Sequence, residues 1–184
     1  MVLYTRNDRT LEVPRIFVSH SERETVRLAS EFAKTLRGGE VVLLDGDLGA
    51  GKTVFARGLA KGLGIRGRIT SPTFVLMRIH RANSRQPIAG SIRHRSSMAI
   101  GYRLPAIGFL VHVDAYRIRD PHELIAIGLL EWVGRPDAVV VIEWGERVRN
   151  MLDRKIRVYG VAMQPFDVHD RSQRNIVVTT VSSP

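Results

Sequence analysis

The stretch Val41–Thr53, VVLLDGDLGAGKT, decides how the rest of this 184-residue chain is read. Within it, Gly46, Asp47, Leu48, Gly49, Ala50, Gly51, Lys52 and Thr53 match G-x-x-x-x-G-K-[ST] at every fixed position. Val41–Leu44 is an apolar run with β-branched residues, as a buried parallel strand requires. After Thr53, residues Phe55, Ala56, Leu59, Ala60 and Leu63 recur at helical spacing, and Gly64 closes the run. Strand, glycine loop and helix form the context in which this motif is a phosphate site. Glycine lets backbone N–H groups curl around phosphate oxygens without a Cβ in the way, and the helix dipole adds to the attraction. In such a loop Lys52 reaches the β- and γ-phosphates, and the Thr53 hydroxyl ligates Mg2+. The glycine spacing does not make G-x-G-x-x-G, which disfavours a dinucleotide fold.

The flanking chain supports an α/β domain. Arg15–Ser19 reads as a short strand, and Ser21 with Glu24 forms an S-x-x-E capping box. Val26, Ala29, Phe32, Ala33 and Leu36 follow as one face of a helix ended by Gly38 and Gly39. Phe109–Val113 and Ala138–Ile142 read as strands that end at Asp114 and Glu143. A carboxylate at a strand end is where P-loop proteins hold Mg2+. From the pattern alone the two acids compete for that role, with the other free to position water as a base. Ser71-Pro72-Thr73 puts two hydroxyls on a restricted loop, a candidate γ-phosphate switch or simply a turn. Two late apolar runs, Ile156–Met163 and Asn175–Val181, suggest an antiparallel edge hairpin. The expected fold is a P-loop NTPase-like α/β domain over residues 1–184, a mostly parallel sheet flanked by helices with antiparallel edge strands.

Composition narrows the classes. With no cysteine, disulfides, thiolate metal sites and cysteine nucleophiles are excluded, and a cytoplasmic setting is expected. The N-terminal residues mix charges early, so no signal peptide is read, and no apolar run reaches membrane-spanning length. His112, His122 and His169 have no companion at metal-ligand spacing and are read as non-ligands. The formal charge is +10, and residues 81–108 contribute Arg81, Arg85, Arg93, Arg95 and Arg103 with no acid. That segment is rich in Arg, Ser, Gly and Pro without a period, and reads as a basic surface insertion.

Together these pieces resemble the bacterial TsaE (YjeE) ATPases of tRNA threonylcarbamoyladenosine biosynthesis. GDLGAGKT at 46–53, SPTF at 71–74, HVDAYR at 112–117 and IEWGE at 142–146 occur in that family's order, and Ser21 with Thr25 fits upstream. The resemblance implies a protein that binds ATP and Mg2+, hydrolyses ATP weakly alone, and works with TsaD and TsaB on tRNA without a membrane. It implies Lys52 on phosphate, Thr53 and Asp114 on Mg2+, and Glu143 as the acid needed for hydrolysis. It further implies Thr73 as the switch residue, Trp144 beside the nucleotide, and Thr25 near its base or ribose. The departure is residues 81–108, where the family commonly has a shorter strand–turn–strand route. Two other functions remain open from the residues. One is a P-loop kinase of a small metabolite or nucleoside, with Arg117 and Arg119 on the transferred phosphate. The other is a nucleotide-gated RNA module using the basic segment. No N-K-x-D motif is present, which disfavours a GTPase. If the segment contacts RNA phosphates, deleting residues 84–104 will weaken tRNA binding and flatten its salt dependence; unchanged affinity and slope would remove it from that role.

Overall fold

In the computed structural model, residues 14–82, 107–120, 122–153, 155–165 and 173–181 are described. Seven strands form one mixed sheet: β1 (Arg15–Ser19), β2 (Val41–Asp45), β3 (Met77–Arg81), β4 (Phe109–Asp114), β5 (Ala138–Glu143), β6 (Val158–Pro165) and β7 (Arg174–Val181). Their order is β1-β7-β6-β2-β5-β4-β3. The four central strands β6, β2, β5 and β4 run parallel; β3 pairs antiparallel with β4 on one side, and on the other β7 pairs antiparallel with β6 and β1 antiparallel with β7.

The sheet is covered on both faces because Val41–Leu44 of β2 and Ala138–Ile142 of β5 are apolar at successive positions, not at alternate ones. Val42, Leu44, Val139 and Val141 point to one face and meet α1 (Glu22–Ala33) and α2 (Lys52–Gly62). Val41, Leu43, Val140 and Ile142 point to the other, under the short α3 (His122–Ala126) and the 3-10 turns that follow it. Half of the capping box forms as read, with Ser21 Oγ accepting from the Glu24 N–H at 3.2 Å; the return bond is shifted by one residue, Glu24 accepting from the His20 N–H at 2.9 Å.

Two expectations change. Met77–Arg81 is a strand, so Arg81 belongs to β3, while 83–106 of the basic segment lie outside the described residues. The late hairpin is antiparallel, but it is no free edge. β6 lies inside the sheet beside β2, and β1 covers the outer side of β7. The physical reason is burial: Val161, Met163, Ile176 and Val178 complete the core under α1 and α2.

Helices α1 and α2 approach closely at Gly58, where an added Cβ would lie 2.5 Å from Ala29 Cβ and 2.7 Å from the Val26 carbonyl oxygen. Replacing a mid-helix glycine by alanine normally gains about 0.5–1 kcal/mol. Overpacking a tight contact costs about 1–3 kcal/mol, so Gly58→Ala is expected to lower the urea midpoint. A raised midpoint would show that the two helices can slide apart freely.

Candidate functional site

The parallel registers bring three strand ends to one edge of the sheet. Leu44 of β2 and Asp114 of β4 both stand opposite Glu143 of β5. The loop leaving β2 turns on Gly46 (φ +136°) and Gly51 (φ +102°), a region that other residues enter only under strain. A Cβ at Gly46 would meet the Met163 carbonyl oxygen at 2.2 Å, and one at Gly51 would meet Arg174 Nη1 at 2.4 Å. Gly46 therefore answers both to the loop's shape and to the backbone of β6, and Gly51 to the loop's shape.

A cavity of about 500 Å3 opens at this edge, within the ~300–1,000 Å3 usual for small-molecule sites. Leu48, Gly49, Gly51, Lys52, Thr53, Thr73, Asp114, Glu143 and Trp144 line it, as do Glu22, Ser71, Tyr116 and Arg174. Lys52 Nζ donates to the carbonyls of Gly46 (2.6 Å) and Asp47 (2.8 Å) and lies 3.7 Å from the centre of the Trp144 ring. Burial holds its ammonium below the usual lysine range, against the pull of Glu143, Glu146, Asp114 and Asp47. Ala50 is buried behind the loop. Trp144 is held in the left-handed region (φ +61°), a conformation that costs a non-glycine residue about 1–3 kcal/mol. Its N–H donates to the Leu44 carbonyl at 2.8 Å, and its ring packs against Tyr116 at 5.1 Å.

The two carboxylates have separate partners. Thr53 Oγ1 donates to both oxygens of Glu143, at 2.9 and 3.1 Å. Asp114 Oδ2 receives Ser71 Oγ at 2.6 Å and Thr73 Oγ1 at 2.5 Å, and these hydroxyls are 2.8 Å apart. Two hydroxyl hydrogens thus serve three contacts, and the S-P-T loop is tied to the end of β4. Asp114 Oδ1 accepts from the Tyr116 N–H at 2.9 Å. Threonine hydroxyl and carboxylate oxygens are hard donors of the kind that Mg2+ takes together with phosphate and water.

Of the expected site residues, Gly46, Asp47 and Ala50 belong to the loop without lining the cavity, and Thr25 lies apart from it. Thr25 is wholly buried, 2.7 Å from Ser19 Oγ, and does not line the cavity; Glu22 is the α1 residue that does. Besides Glu22 and Tyr116, Arg174 and His112 reach the site without having been assigned a part in it, and Ser71 joins it from the S-P-T loop. Arg174 comes in from the start of β7, a contact no local pattern could indicate. Ser71 was visible only as the partner of Thr73 in SPT. His112 reaches Glu143 with Nε2 2.8 Å from Oε1. Its signal was strand alternation, since residues two apart on a strand share a face and Asp114 follows it by two. His122 pairs with Asp120 away from the site, and His169 lies outside the described residues. Among the described residues, no helix is long and apolar enough to cross a membrane.

Comparison with known proteins agrees with this arrangement. The chain matches the family described as threonylcarbamoyl adenosine biosynthesis protein TsaE over residues 19–95 and 97–175. That match runs through the basic segment and β6 and ends at the start of β7. The tRNA threonylcarbamoyladenosine biosynthesis protein TsaE of Streptomyces coelicolor is 39% identical over 135 residues, covering 71% of this chain and 74% of that protein. Its namesake in Mycobacterium tuberculosis is 36% identical over 150 residues (79% and 74%), and that of Treponema pallidum is 38% identical over 135 (73% and 82%). The crystal structure of Bacillus subtilus YdiB shares the fold, with TM-score 0.63 and 23% identity over 95% of this chain and 90% of that one. With the glycine loop, the SPTF turn and the acids ending β4 and β5 meeting at one cavity, and with relatives of this similarity along most of its length, the chain belongs to the TsaE family.

Proposed function

We propose that this chain is a P-loop ATPase that binds ATP and Mg2+ and serves threonylcarbamoyladenosine modification of tRNA together with TsaD and TsaB. The observation that carries this reading is the convergence of Lys52 and Thr53 with Asp114 and Glu143 on one cavity. The names of the relatives support the pathway; the cavity chemistry supports the nucleotide.

In this mechanism the loop's backbone amides and the start of α2 bind the phosphates. The Lys52 ammonium leaves the loop's own carbonyls for phosphate oxygens and neutralises charge that builds up during transfer to water. Thr53 and Asp114 would hold Mg2+, which when bound supplies positive charge beside the phosphates. Glu143 orients the attacking water and accepts its hydrogen bond. Ser71 and Thr73, tied to Asp114, link the S-P-T loop to the occupancy of the site. Trp144 and Tyr116 supply aromatic walls to the cavity.

The primary experiment is phosphate release from ATP with Mg2+, with and without purified TsaD and TsaB. A rate that rises with the partners is expected; a rate indifferent to them would detach the chain from that complex. Transfer of labelled phosphate to a small acceptor instead of water would favour a kinase. Lys52→Ala is expected to abolish release. Glu143→Ala is expected to bind nucleotide normally but to lose turnover by about 100-fold or more, in the range of lost base catalysis. Normal turnover in Glu143→Ala would reassign that residue. Asp114→Ala is expected to raise the Mg2+ concentration at half-maximal binding.

A further inference from the structure

His112 is a buried polar side chain for which the mechanism above has no use. It is wholly buried on β4, between core residues Val111 and Val113. A polar ring in such a place is costly unless it is hydrogen-bonded. Its bond is to Glu143, Nε2 to Oε1 at 2.8 Å. A carboxylate only accepts, so the hydrogen of this contact sits on Nε2. Its other nitrogen, Nδ1, is buried with no hydrogen-bond partner among the described residues, and the nearest ring is that of His80, 6.4 Å away. The orientation of the imidazole is therefore set by Glu143, and the orientation of Glu143 is set by two groups. Thr53 holds the carboxylate from the P-loop side, and His112 holds it from beneath the sheet edge.

We infer that His112 is a positioning residue: it pins Oε1 of Glu143 so that the carboxylate faces the cavity in one orientation when Thr53 turns to its own ligands. The role rests on the ATPase reading above. In that reading the Thr53 hydroxyl is needed elsewhere during turnover, and the His112 bond is the one that Glu143 keeps. Without it the glutamate side chain has several rotamers to choose from, and misplacing a reacting group by about 1 Å can cost about 100-fold in rate.

The test uses the full-length chain in the phosphate-release assay with partners present, with Lys52→Ala as blank and fluorescent ATP-analogue binding alongside. His112→Leu keeps the bulk and removes the donor. It is expected to lower kcat by about 10–100-fold while the nucleotide Kd stays within about twofold. His112→Gln places an amide N–H where Nε2 was and is expected to recover most of the rate. In a Glu143→Gln background, His112→Leu should cost nothing further. A His112→Leu rate equal to wild type, or equal losses in the Leu and Gln variants, would overturn the role. So would a loss that appears in nucleotide binding with kcat unchanged. A wild-type rate no higher than the Lys52→Ala blank would instead overturn the ATPase reading itself. Thermal melting of each variant separates these results from loss of fold.

Discussion

The parallel pairing of β5 with β2 on one side and β4 on the other is the constraint on which the rest depends. Parallel neighbours in common register end at the same level, so their following loops open on one edge. The glycine loop, Asp114 and Glu143 come from segments up to 90 residues apart, yet meet there because three strands stop together. Sliding β5 by one residue would turn Glu143 to the opposite face of the sheet, away from Thr53. The all-apolar runs of β2 and β5 guard against such a slip, since both faces are packed and both clusters would be disturbed.

The site concentrates features that a stable core would avoid. Two carboxylates and an ammonium are nearly buried, and Trp144 holds a left-handed backbone. Each carboxylate is instead matched to donors, Asp114 to Ser71, Thr73 and a backbone N–H, Glu143 to Thr53 and His112. Lys52 is matched to carbonyls of its own loop and to the face of an indole ring. These partners are weaker for an ammonium than phosphate oxygens, which suits the exchange that the proposed mechanism asks of Lys52. The proposed chemistry thus draws on a polar network that is satisfied internally and built to rearrange.

The late hairpin has a part in the site as well as in the core. Met163 of β6 backs Gly46, and Arg174 of β7 backs Gly51. These contacts carry the tail to the glycine loop. A loop that must bend through left-handed glycines needs something rigid behind it, and here that support is a strand pair from the far end of the chain.

The linear pattern by itself determined the parts with short-range causes. These are the glycine loop with its strand and helix, the capping box at Ser21, the apolar strands ending at Asp114 and Glu143, and the family to which their order belongs. The tertiary structure alone decided which side chains meet. Thr25, placed near the nucleotide by resemblance, is used internally with Ser19, whereas Glu22 from the same helix reaches the cavity. His112, unremarkable as a lone histidine, became the partner of Glu143. The order of β6 and β7 and the reach of Arg174 were equally hidden. The physical reason is that caps, turns and periodicity are set within a few residues, while contacts across the sheet depend on register and on which buried faces must be filled.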